Sequence, residues 1–91
     1  MKKAVRVYLS GSVQSMFFRL FVKENADKLG IRGFLRRLED GRTEIFIEGE
    51  SAAVDQMAEI CKTGPKHAII RGFEQKEERL QDFKDFRFIN F

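Results

Sequence analysis

At Gly11 the spacing of apolar residues changes from two to between three and four, which restricts the chain to folds in which a half-buried strand feeds directly into a helix. Val5, Val7 and Leu9 alternate with Arg6, Tyr8 and Ser10, the period of a strand with one buried face. From Phe17 to Leu29 the apolar positions Phe18, Phe21, Val22, Ala26 and Leu29 recur at steps of three and four, and Gly30 supplies the stop. Between the two lies Gly11-Ser12-Val13-Gln14-Ser15-Met16-Phe17-Phe18-Arg19. Backbone N–H groups at a turn and in a helix's first positions lack intrahelical acceptors, and the helix dipole adds partial positive charge. The stretch therefore predicts an anion site, with Arg19 as a two-pronged, permanently charged clamp.

The rest of the chain continues as alternating elements. Ile31 to Glu39 and Thr43 to Glu50 are extended runs joined by Asp40-Gly41, a pair suited to a tight antiparallel hairpin. Ser51 is the expected cap of a second helix, whose stripe of Val54, Met57, Ala58 and Cys61 ends at Gly64-Pro65. His67 to Lys76 predicts a fourth strand, followed by mixed charges through Arg79, and Phe83 to Phe91 predicts a short last one. The order is βαββαβ with an additional C-terminal strand. Right-handed crossovers interleaved about a hairpin put both helices on one sheet face. The expected fold is an α+β, ferredoxin-like two-layer sandwich with an antiparallel sheet, its other face uncovered.

Ninety-one residues suit one domain spanning 1–91, too small for a second core, so any site is shallow and surface-borne. The net charge of +3 arises from interspersed charges of both signs, which mildly favours anionic partners and marks no nucleic-acid tail. No apolar run approaches a membrane span, and Arg6 interrupts the segment after Met1-Lys2-Lys3 that would otherwise begin like a signal peptide. Cys61 is single and sits at helical spacing from Val54 and Met57, so it is a core residue rather than a nucleophile. With His67 as its one companion it makes no metal-ligand set, and His67 is expected to be structural. The lone cysteine suits a reducing cytoplasm, and the expected assembly is a monomer.

Several ungapped blocks together resemble the acylphosphatase family over nearly the whole chain. Gly11 to Arg19 is similar to the family's phosphate loop, G-x-V-Q-G-V-x-F-R, and Ala26, Leu29 and Gly30 stand where its first helix ends. Gly33-Phe34-Leu35-Arg36-Arg37 resembles the second signature, in which asparagine holds the fifth place. Asp40-Gly41-Arg42-Thr43-Glu44, Glu48-Gly49 and Gly64-Pro65 continue the match in register. The resemblance implies hydrolysis of acyl phosphates to carboxylate and phosphate, without metal or organic cofactor. It implies a phosphate site formed by Val13, Gln14, Ser15, Met16, Phe17, Phe18 and Arg19. The substrate or ligand is then a small acyl phosphate or inorganic phosphate.

Two positions depart from the pattern. Arg37 stands in the place of the asparagine, and a guanidinium only donates, so it does not orient an attacking water as an amide does. Ser15 replaces a loop glycine, at a cost of order 1 kcal/mol if that position needs positive φ. These departures keep open a second reading, in which the chain holds phosphate or a phosphorylated metabolite without turning it over and Arg37 serves as a second cation. A third reading is RNA binding, with bases stacked on Tyr8, Phe34 and Phe46 of an open sheet face. Against nucleic acid, Thr43 to Glu48 carries one phenylalanine between two glutamates, where the RNA-recognition motif interleaves aromatics.

Overall fold

The computed structural model describes residues 1–13 and 15–89. Gln14, central to the expected anion loop, and Asn90 and Phe91, at the end of the expected last strand, lie outside the described residues. The elements are β1 (Lys2–Gly11), α1 (Met16–Leu29), β2 (Arg32–Arg37), β3 (Thr43–Glu50), α2 (Ser51–Thr63), β4 (Ile70–Glu78) and β5 (Phe86–Phe88). They form one sheet in the order β4-β1-β3-β2-β5. Each helix therefore crosses over one intervening strand: α1 passes β3 to reach β2, and α2 passes β1 to reach β4.

Both helices cover the same face. Val5, Val7 and Leu9 of β1, Leu35 of β2 and Ile45 and Ile47 of β3 meet Phe18, Val22 and Ala26 of α1 and Val54, Met57 and Cys61 of α2 in a single core. Burying a side chain the size of Phe18 contributes about 1.5–3 kcal/mol, so the helical stripes hold these helices to the sheet. Gly30 ends α1 in the left-handed conformation, its N–H directed to the Ala26 and Asp27 carbonyls.

The four-strand core is antiparallel, and β5 adds a parallel pair with β2. The reason is directional. β4 runs against β1 and β2, so a chain that leaves its end and crosses the sheet arrives at the far edge running with them.

That crossing also corrects the expectation of an open face. Residues 79–85 pass over the sheet opposite the helices, and buried Glu48 holds them there. Its Oε1 accepts the Gln81 N–H at 2.8 Å and its Oε2 the Phe83 N–H at 2.5 Å. The Phe83 ring lies 5.6 Å from both Phe34 and Phe46, which stack on each other at 5.7 Å. Phe34 and Phe46 are buried, so neither presents a ring to a base. Beside them Glu44, also buried, pairs with Arg6 and with Arg36.

Three element boundaries differ from expectation. Ser51 is the first helical residue of α2 rather than its cap, because its N–H bonds the Met1 carbonyl at 2.8 Å and Glu50 takes the cap position. β4 begins at Ile70, leaving His67 in a turn, and continues to Glu78, because β1 offers partners from Gly11↔Ile70 to Ala4↔Glu78. The hairpin is wider than Asp40-Gly41: Leu38 and Arg42 close it, with Leu38 N–H donating to the Arg42 carbonyl at 2.7 Å.

Candidate phosphate-binding site

The antiparallel register brings four chain segments to one end of the sheet. β1 and β2 finish there, and β3 and β4 start there, since Leu9 pairs with Thr43, Thr43 with Arg37, and Gly11 with Ile70. The loop from Gly11 to Ser15 leaves β1 at this end and enters α1.

Three contacts fix its course. Gly11 has φ of 121°, and a Cβ there would stand 2.1 Å from the Ile69 carbonyl oxygen, so a side chain is excluded. Ser12 then binds Ile69 twice: its N–H donates to the Ile69 carbonyl at 2.9 Å, and its Oγ accepts the Ile69 N–H at 3.0 Å. Val13 turns its side chain into the core, while its carbonyl accepts from Thr43 Oγ1 at 3.4 Å. Val13 thus anchors the loop to β3.

Ser15 closes the loop as the cap of α1. Its φ of −76° and ψ of 158° are extended, so the expected penalty for a non-glycine residue here does not arise. The side chain instead accepts the Phe18 N–H at 3.1 Å, and the Ser15 carbonyl accepts the Arg19 N–H at 3.2 Å. Phe18 was expected among the phosphate-facing donors. In this arrangement its N–H is engaged by the cap and its ring is fully buried. Met16 and Phe17 are the first two helical residues, and helix geometry offers their N–H groups no intrahelical acceptor. Both side chains are exposed, and Arg19 is half-buried at the end of the first turn.

Arg37 reaches the same end from β2. Arg36 lies on the outer face, with its Nε 2.5 Å from Glu44 and its guanidinium over the Phe34 ring. Leu35 faces the helices, and strand alternation puts Arg37 on that side as well. It is exposed and paired with Thr43, whose own partner on the far side is Leu9. Two strand spacings, roughly 10 Å, separate the Arg37 backbone from the end of β1, within the span of an arginine side chain and a phosphate.

One residue set aside by the sequence reading belongs to this region. His67 lies in the turn before β4, and its ring meets Phe17 edge-on at 5.9 Å. Together with Gly11, Ser12 and Ser15 the pair lines an open cleft of about 460 Å³. The topology contains the signal that would have found it: β4 runs against β1, so residues just before β4 return to the loop that follows β1. Among the described residues, no three His, Cys, Asp or Glu side chains gather as a metal-ligating group, and no helix is long and apolar enough to cross a membrane.

A βαββαβ sheet with both helices on one face is the ferredoxin-like fold, here carrying a glycine-started, serine-capped loop at the strand ends. The crystal structure of the acylphosphatase from Bacillus subtilis superimposes on it with a TM-score of 0.89 at 31% identity, covering 99% of this chain and 100% of that one. The acylphosphatase family model matches residues 5–88, and the chain belongs to the acylphosphatase family. An acylphosphatase of Rubrobacter xylanophilus is 50% identical over 76 residues, which span 84% of this chain and 69% of the relative. One of Archaeoglobus fulgidus is 37% identical over 83 residues, 91% and 93% of the two chains.

Proposed function

We propose that this protein hydrolyses acyl phosphates, acting as a single domain over residues 1–91. The observation that carries the reading is the loop from Gly11 to Arg19, held between β1 and the N-terminus of α1 in a chain of this family. Phosphoryl oxygens bind the N–H groups of Met16 and Phe17 with those of the preceding loop, and the Arg19 guanidinium balances their charge. The water oxygen forms the new bond to phosphorus, the bond from phosphorus to the acyl oxygen breaks, and the carboxylate leaves with its electron pair. The water proton passes to phosphate or solvent. A carboxylate is a good leaving group, so alignment and electrostatics supply most of the acceleration.

The test is cleavage of benzoyl phosphate without added metal. Wild type should turn it over, and Arg19→Ala should abolish turnover while the fold persists. No detectable cleavage by folded wild type overturns the reading.

A second reading, phosphate binding with little turnover, draws on Arg37. A cation near the loop strengthens binding of the ground-state anion, and such uniform binding lowers KM without raising kcat. It predicts phosphate-dependent NMR shifts in the loop with no turnover, and a loop indifferent to phosphate excludes it.

A further inference from the structure

Four of the large apolar side chains most exposed to solvent lie on the segments that flank the loop: Met16 at 57% exposure, Phe17 at 73%, Leu20 at 43% and Ile69 at 59%. Among the described residues, Met1 and Leu80 are the others of this kind, and neither lies on the loop or on the segments that flank it. Apolar area concentrated on one side of a small molecule marks a binding surface rather than incidental exposure. The four are not equivalent. Ile69 is tied to Ser12 by two hydrogen bonds, and Phe17 meets the His67 ring edge-on at 5.9 Å. Phe17 and His67 are the aromatic pair of a cleft that Gly11, Ser12 and Ser15 also line.

We infer that the Phe17–His67 pair selects substrates with a bulky apolar or aromatic acyl group. The inference rests on the proposed binding of acyl phosphates at this loop, not on their turnover. Continuity with the loop identifies the occupant: Phe17 supplies both a backbone N–H of the helix's first turn and one ring of the aromatic pair. A group covalently attached to a phosphate bound there emerges against the two rings. An aromatic acyl group gains contact area on both rings, whereas an acetyl group is too short to use it. Phe17 and His67 are therefore specificity-determining residues, and neither side chain takes part in the bond-breaking step.

The test separates binding from turnover. Dissociation constants for benzoylphosphonate and acetylphosphonate, unhydrolysable analogues that differ in the acyl group, are measured by NMR titration. In parallel, kcat and KM are measured for benzoyl phosphate and acetyl phosphate. The benzoyl analogue should bind about tenfold more tightly and shift the Phe17 and His67 resonances, with the difference in turnover confined to KM. Phe17→Ala and His67→Ala, both at exposed positions, should bring the affinity ratio toward one.

Equal affinities in wild type, or a ratio unchanged in both variants, overturn the inference and leave hydrolysis standing. A preference in binding with neither acyl phosphate cleaved supports the inference and removes the hydrolase reading. Binding of neither analogue overturns both. Concentration-dependent burial of Phe17 without ligand assigns the surface to a second copy of the chain and overturns the inference as well.

Discussion

Ser15 Oγ accepts the backbone N–H of Phe18 at 3.1 Å, so the residue that caps α1 also engages one donor of the helix's first turn. In the proposed phosphate site, helix capping and anion binding compete for the same N–H. Ser15→Gly should free that donor. Because glycine is also tolerated at a helix cap, the variant should lose only a few tenths of a kcal/mol in stability. Phosphate affinity measured by titration should rise about fivefold, since one charge-assisted hydrogen bond is worth roughly 1 kcal/mol or more. Unchanged affinity would show that the Phe18 donor lies outside the phosphate contact.

Arg37 and Thr43 are paired at the end of the β2–β3 hairpin. Arg37→Asn introduces an amide that both donates and accepts, the combination needed to hold a water in line with phosphorus. The variant should raise kcat for benzoyl phosphate by about tenfold or more, with a weaker effect on KM. Arg37 is exposed, so stability should change by less than about 0.5 kcal/mol. An unchanged kcat in the variant counts against Arg37 as the obstacle to turnover.

Glu48 fastens residues 79–85 to the outer face through two backbone N–H groups. Glu48→Ala leaves both donors without their acceptor and should destabilise the fold by roughly 2–4 kcal/mol, read by denaturant unfolding. Loss of the strap also uncovers Phe34 and Phe46, so the variant should bind a hydrophobic dye that wild type does not. Glu48→Gln keeps one acceptor oxygen and should cost less.

Cys61 is fully buried on α2, and burial pushes its thiol from the ordinary 9.0 up to about 12. The folded chain therefore keeps the proton over a range in which the unfolded chain loses it. The contribution to stability is complete below pH 9.0 and falls as pH rises toward about 12. Denaturation in Cys61→Ala should lack that part of the alkaline decline. Native Cys61 should resist thiol reagents at pH 8 and react once the chain is unfolded.

Where an element is encoded by local periodicity, the sequence was a sufficient guide. The stripe from Phe18 to Leu29 and the stop at Gly30 reappear in α1 within a residue or so, because the same side chains that define the period are buried against the sheet. Boundaries that depend on partners were less legible. Ser51 has the chemistry of a cap, yet an N–H bond to Met1, fifty residues away, puts it inside the helix. The parallel seat of β5 was not legible either, because its partner β2 lies on the far side of the sheet from β4.

The candidate site divides in the same way. Gly11, Ser12, Ser15 and Arg19 fall within one nine-residue stretch, and a strand that feeds a helix leaves the N–H groups of the helix's first turn without intrahelical acceptors whatever the rest of the chain does. Sequence alone therefore determined that a loop bearing glycine and serine joins β1 to α1, and the resemblance to the family set the expectation of an anion there and of asparagine where Arg37 stands. It did not reveal what flanks the loop. Ile69 reaches Ser12 across 57 positions and Thr43 reaches Val13 across 30, and His67 meets Phe17 only because β4 runs against β1. The tertiary structure decided those contacts and the covering of Phe34 and Phe46, since they arise from strand pairing and chain crossing, which local spacing of residues does not encode.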